Sequence, residues 1–342
     1  MTSSLRTWAG ASGRQAEGCR SFSSAARHTK IDALASMAVS FLLVGLSVTG
    51  LDFARADHAV MAQAPTTAPG ASATSATDGQ AFERQTLELT VPQRETVIAA
   101  YGGAPYTYPS DVTIDKPGVH DFTLHKVDWI GKPFDNPVYY GVRVMRWFSG
   151  GATGGMLDFT HSKTISVREQ TVKFSGTLDG KPAPAEAKIS AVFKHLEASH
   201  GHNMLTLNGL MRLPSLSARL SPYVGVGAGV SLPHSEVSIL SDPARTYEYQ
   251  FAGPVTQVVA GIEFRLPRLS YFLEYKFSIA PYVMPLSYRD GTFLFKDLWL
   301  QAKDWLGGVE PAGGHLTTRL SSHQIIGGIG VRIASPVAVG TP

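Results

Sequence analysis

Four side chains in this chain could act on one substrate or hold one ion: His161, His202, His234 and Glu236. His161 lies in the run Leu-Asp-Phe-Thr-His-Ser-Lys near the end of a strand, and His202 opens His-Asn-Met-Leu-Thr-Leu-Asn with His200 two residues before it. His234 lies in Leu-Pro-His-Ser-Glu-Val, two residues before Glu236. Imidazole changes charge near neutral pH and is a common metal ligand, so the set could serve as general acid and base or bind a divalent metal. The alternative is a scatter of solvated histidines with no joint role. Spacing alone leaves both readings open.

The elements that must position them are strands. From Tyr223 to Leu232, Val224, Val226, Ala228, Val230 and Leu232 share one parity, opposed by Tyr223, three glycines and Ser231. Side chains alternate across a strand, so one face is apolar and the other small or polar. Ile325, Ile329, Val331 and Ile333 repeat the pattern near the C-terminus. About ten residues of such alternation is the length of a tilted strand crossing a bilayer. Read this way, the chain predicts about eight strands, at 95–103, 138–148, 155–167, 202–213, 220–233, 249–266, 269–283 and 322–333. Connections at 104–137, 168–201, 234–248 and 284–321 are long, and those at 149–154, 214–219 and 267–268 are short. The fold class expected is all-β, an antiparallel up-and-down transmembrane β-barrel with long extracellular loops and short periplasmic turns. The histidines then fall at the long-loop rim, on neighbouring strands about 4.8 Å apart. Parity points His161, Asn203 and His234 outward, although a bulge could reverse any of them.

The same parity turns Arg143, Asp158, Arg212, Glu263, Arg265, Glu274, Lys276 and Arg332 inward. Side chains fill an eight-stranded barrel, and unpaired buried charge is costly, so an ion-pair plug is expected there. Gly225-x-Gly227-x-Gly229 resembles a dinucleotide fingerprint only in spelling. That motif must leave a strand and open a helix, whereas here the alternation runs through the glycines, so no nucleotide cofactor is expected.

Composition agrees. Only 17% of residues are charged against 44% hydrophobic, low for a water-soluble enzyme, and a net charge of +3 does not argue for nucleic acid. Arg27, His28 and Lys30 precede an apolar run and then small-residue Ala-x-Ala sites, the order of a secretory signal. Residues 1–64 therefore read as a signal segment, 65–93 as a disordered linker and lead-in, 94–333 as the barrel and 334–342 as a tail. The only cysteine, Cys19, falls in the leader, which removes disulfide and thiolate chemistry from the mature chain. A membrane-embedded monomer in the cell outer membrane is expected.

Several segments carry a family resemblance. Leu157-Asp158-Phe159-Thr160-His161-Ser162-Lys163, Asn203-Met204-Leu205-Thr206-Leu207-Asn208, Pro233-His234-x-Glu236-Val237 and Tyr247-Glu248-Tyr249-Gln250-Phe251-x-Gly253-Pro254 look like the rhizobial outer-membrane lipid A oxidases. So do Trp129-Ile130-Gly131-Lys132-Pro133-Phe134 and Tyr139-Tyr140-Gly141-Val142-Arg143. The resemblance implies an enzyme that oxidises the proximal glucosamine of lipid A to 2-aminogluconate, with molecular oxygen as co-substrate and lipid A or lipopolysaccharide as partner. Under that reading His161, His234, Glu236 and Asp158 are the catalytic candidates. A divalent metal would sit on His161, His202, His234 and Glu236. Lys163, Asn203, Lys126, Lys132 and Glu248 would bind substrate, the lysines holding phosphates or acidic sugars. The competing expectation is a non-catalytic surface barrel for adhesion or envelope stability. A lipid A deacylase fits less well, because Ser162 is adjacent to His161 and faces the other way.

Overall fold

A computed structural model describes residues 94–334. The expected signal segment and linker, and the expected tail beyond Ala334, lie outside the described residues.

The described residues form sixteen strands. They are β1 (Glu95–Thr107), β2 (Ser110–Lys116), β3 (His120–Val127), β4 (Trp129–Ile130), β5 (Tyr140–Trp147), β6 (Thr153–Ser166), β7 (Thr171–Leu178), β8 (Lys181–Pro182), β9 (Glu186–Lys188), β10 (Phe193–Arg212), β11 (Leu220–Ser231), β12 (His234–Ile239), β13 (Arg245–Tyr249), β14 (Gly253–Arg265), β15 (Leu269–Pro285) and β16 (His315–Ala334). One helix, α1 (Leu294–Gly307), lies between β15 and β16. No described helix is long and apolar enough to cross a membrane.

Eight of the strands pair in a circuit: β1, β5, β6, β10, β11, β14, β15, β16 and back to β1, all antiparallel. They are the eight read from alternation. Short turns join β5 to β6, β10 to β11 and β14 to β15, all at one end.

The glycines in β11 permit close approach. A Cβ at Gly229 would strike the Leu205 carbonyl, and one at Gly227 the Asn208 side chain.

The long connections depart from expectation. They are folded, not open loops, because β10, β15 and β16 run to 20, 17 and 20 residues, well past the length a bilayer needs. Above the circuit, β16 pairs with β2, β2 with β3 and β3 with β7, while the β12–β13 hairpin pairs with β10. This upper layer has its own apolar core, including Val112, Ile114, Phe122, Leu124, Phe193 and Leu316. Its strands alternate as regularly as the others, and only their place between long strands made them look like loops. The reading of 249–266 as one strand also fails. The chain turns at Gln250–Ala252, so Tyr249 belongs to the hairpin and β14 starts at Gly253.

Inside the circuit, each expected inward charge joins one of two networks. Arg143 donates to Asp158 at 3.1 Å and, as a fork, to both Glu274 oxygens at 2.8 and 3.0 Å. Lys276 donates to the other Asp158 oxygen at 2.6 Å, and the hydroxyls of Tyr101 and Tyr223 donate to Asp158 and Glu274. These four ionised groups have no exposed side-chain surface, or next to none. Toward the short turns, Glu95 accepts from Arg212, Arg265 and Arg332, and Glu263 accepts from Arg212. Glu95, at the first residue of β1, was not among the inward charges expected.

The outer face is apolar. Ile98, Val142, Leu157, Leu207, Val226, Val258, Leu273 and Ile325, one from each circuit strand, are all exposed. Tyr106, Tyr140 and Tyr275 project near the long-connection end, and Phe148, Phe264 and Tyr271 near the other.

Candidate active site

β6 crosses the level of the tyrosine ring at His161, which is directly opposite Tyr140 on β5 and Asn203 on β10. All three point outward, as parity predicted. The Tyr140 ring stacks on the imidazole at 4.8 Å, and the imidazole Nδ1 lies 2.8 Å from Asn203 Oδ1. Asn203 commits its amide nitrogen to the Leu232 carbonyl at 3.1 Å, so its oxygen can only accept. His161 therefore carries its proton on Nδ1. Its Nε2 keeps a lone pair, is buried, and has no partner among the described residues.

His234 arrives at the same result by another route. It begins β12, opposite Tyr249 on β13, and its Nε2 lies 3.0 Å from the Gly291 carbonyl. A carbonyl only accepts, so the proton is on Nε2 and the lone pair on Nδ1, which is likewise buried without a partner. Tyr247 and Tyr249 pack edge-on against the ring, and His200 lies 5.4 Å away. His200 owes that position to a bulge in β10 between Ala198 and His202, where Gly201 takes a φ of 146°. Four residues of β10 there match two of β6, an even difference, so Asn203 and Glu197 stay on the outer face.

Two imidazoles with an unpartnered nitrogen thus occupy outward-parity positions on β6 and β12. The two strands flank β10, so the nitrogens are separated by about two strand spacings, roughly 10 Å. Two segments cover them and explain how outward residues come to be buried. The connection before β5 reaches over His161, where Asp135 accepts from Lys163 through its carbonyl at 2.9 Å. The stretch leading into α1 covers His234, with Gly291 as its contact and Asp297 bound to the Tyr249 backbone at 3.2 Å.

The remaining expected site residues are distributed otherwise. His202 has inward parity, and its Nδ1 is bonded to the Tyr282 hydroxyl in the upper core. Glu236 faces outward but is engaged by Arg245 and by His195. The four-residue metal set therefore does not assemble. The described histidine and carboxylate groups close enough to share an ion are His195, Glu197 and Glu236, with the Arg245 guanidinium 3.4 Å from Glu236. Asp158 belongs to the interior plug, far below the rim, and Glu248 is an inward structural acid held by Arg289 at 2.9 Å. Lys126 is exposed near the end of β3, at a φ of 57°, and Lys132 is exposed in the connection before β5, beside Asp135 at 3.9 Å. Of the expected set, His161, Asn203, Lys163, His234 and Glu236 have outward parity, with Glu236 tied to Arg245. Sequence reading passed over Tyr140, Tyr247, Tyr249 and Asp297 as site residues. The three tyrosines have the parity of the histidines, which was the available signal.

Burial pushes His234 below the ordinary imidazole value; the Gly291 carbonyl opposes that shift, and His200 adds to it. The unfolded chain then binds this proton more tightly than the folded one, so stability is lost as the pH falls below about 6.5, and the folded base is protonated only below that value. If His234 works as a base, the acid limb of the rate profile falls below pH 6.5. A limb centred at or above pH 6.5 in a detergent-micelle assay contradicts that role.

Fold and site together define an all-β antiparallel protein on an eight-strand circuit, polar within and apolar without, carrying two separate hydrogen-bonded imidazoles near one end. No protein-family model matches the chain, and no curated protein matches it. Among solved structures it is similar to Ail, the attachment invasion locus protein of Yersinia pestis, in complex with the heparin analogue sucrose octasulfate. That match has 12% identity and a TM-score of 0.28, covering 70% of this chain and 99% of Ail. It is also similar to the outer membrane protease OmpT from Escherichia coli, at 7% identity and a TM-score of 0.30, covering 71% and 98%. Scores this low carry no functional argument.

Proposed function

We propose that the chain is an eight-stranded outer-membrane β-barrel whose rim site oxidises the proximal glucosamine of lipid A to 2-aminogluconate, with molecular oxygen as oxidant. Membrane placement is supported by the inverted surface. Buried ion pairs inside and an exposed aliphatic from each circuit strand outside suit a lipid solvent and not water. The tyrosine ring at the long-connection end marks an interface, and His161 sits at its level.

One observation carries the catalytic reading: two buried imidazoles on outward-parity positions, each with its tautomer set by a hydrogen bond and each keeping a basic nitrogen without a partner among the described residues. A sugar head group in the outer leaflet reaches that depth. His161 Nε2 accepts the anomeric hydroxyl proton, and Asn203 steadies the imidazolium through Nδ1. The two electrons of the anomeric C–H bond pass to oxygen. In balance, aldehyde-level carbon plus O2 plus water gives carboxylate-level carbon plus hydrogen peroxide. The resemblance noted above supplies the choice of sugar. The expected metal set does not assemble, so no step runs through it. Mass spectrometry of lipid A from cells with and without the gene tests the reading, and an unchanged spectrum leaves the non-catalytic surface barrel.

A further inference from the structure

Helix α1 is amphipathic the wrong way round for a soluble protein. Its polar stripe faces the protein. Asp297 is buried and accepts from the Tyr249 backbone, Gln301 bonds both the Phe251 N–H (2.7 Å) and carbonyl (2.9 Å), and Asp304 pairs with Arg289. At 100° per residue, Asp297, Gln301 and Asp304 lie within about 60° of one another. Phe295, Trp299, Ala302 and Leu306 form a second stripe, on roughly the opposite side of the helix. Phe295, Trp299 and Leu306 are 73%, 67% and 75% exposed. Lys296 and Lys303, also exposed, follow one flank of that stripe.

We propose that this face is an interfacial anchor, lying in the head-group and upper acyl region of the outer leaflet. The proposal rests on the outer-membrane reading above. Lipid is the occupant for two reasons. First, the residues α1 grips, Tyr249 and Phe251, come immediately before β14, whose outward Val258 and Phe264 belong to the exposed apolar belt, so the helix continues that belt at its upper edge. Second, a lysine pair flanking an apolar aromatic stripe complements anionic head groups while the rings enter the acyl boundary. Docked so, α1 also fixes the membrane height of His234, since the stretch that begins it supplies the Gly291 carbonyl.

The test uses the folded chain in vesicles of phosphatidylcholine and phosphatidylglycerol, with bromine on lipid carbons at graded depth. The difference between wild-type and W299F fluorescence isolates Trp299. We expect a blue-shifted Trp299 component, quenched most by bromine near the head of the acyl chain, and quenching that weakens in K296E/K303E only when phosphatidylglycerol is present. An inserted, protease-protected barrel with an unquenched, water-like Trp299 overturns the anchor and leaves the barrel reading standing. Failure of the chain to insert at all overturns both. Quenching that ignores the charge reversal overturns the role of the lysines.

Discussion

Replacing Arg143 with Met will cost the folded barrel about 3–5 kcal/mol, the usual consequence of stripping one partner from a buried ion pair. The cause lies in the arithmetic of the plug. Arg143 and Lys276 balance Asp158 and Glu274, with none of the four reached by solvent. Removing the guanidinium leaves Glu274 ionised against the Tyr223 hydroxyl alone and takes from Asp158 one of its two cations. The Tyr101 and Phe272 rings, 4.5 and 4.9 Å from the guanidinium, also lose a cation at their faces. The double replacement R143M/E274M removes a cation and an anion together and will recover a large part of the loss. Urea unfolding in vesicles, followed by heat-modifiable gel mobility, measures both. Equal stability of R143M and wild type would show that the plug is not what holds the strands in register.

His161→Ala and His234→Ala will each lower the rate of lipid oxidation by about 10²–10⁴-fold, the range for losing a positioned general base. Neither should unfold the barrel, because neither ring belongs to the ion-pair plug or to the apolar core of the upper layer. His161→Gln separates the terms further: it retains hydrogen-bonding capacity toward Asn203 but supplies no base near neutral pH. His202→Phe makes the contrasting case. Its imidazole serves Tyr282 inside the upper layer, so that change should act on stability with the rate per folded molecule retained. Turnover of purified protein in micelles, normalised to the folded fraction, decides both. A His161→Ala variant with wild-type turnover would remove His161 from the chemistry.

Much of this architecture is written in a two-residue period. The eight circuit strands, the inward charges and the outward direction of His161, Asn203 and His234 all follow from parity, since one face meets lipid and the other a filled interior. Three things were less legible. Val112, Ile114, Phe122 and Leu124 alternate as clearly as any membrane strand, but seven- and eight-residue strands between long ones read as loops. The metal set failed because His202 and Asn203 are adjacent, and adjacent strand residues face opposite sides. Helix α1 escaped notice because its apolar stripe points away from the protein, so the usual cue for a packed helix is turned outward. The tautomers of His161 and His234 were out of reach of sequence, for they depend on the Leu232 and Gly291 carbonyls, which carry no side-chain signature.

The central claim is that outward imidazoles at the membrane rim act on a lipid sugar. Mass spectrometry of lipid A from aerobic cells expressing the wild-type chain or the H161A/H234A variant tests it most directly. The account predicts a species one oxygen heavier in the wild type, absent from the variant and from cells grown without oxygen, with both barrels present at equal level in the outer membrane. The same heavier species at undiminished level in the variant would contradict it.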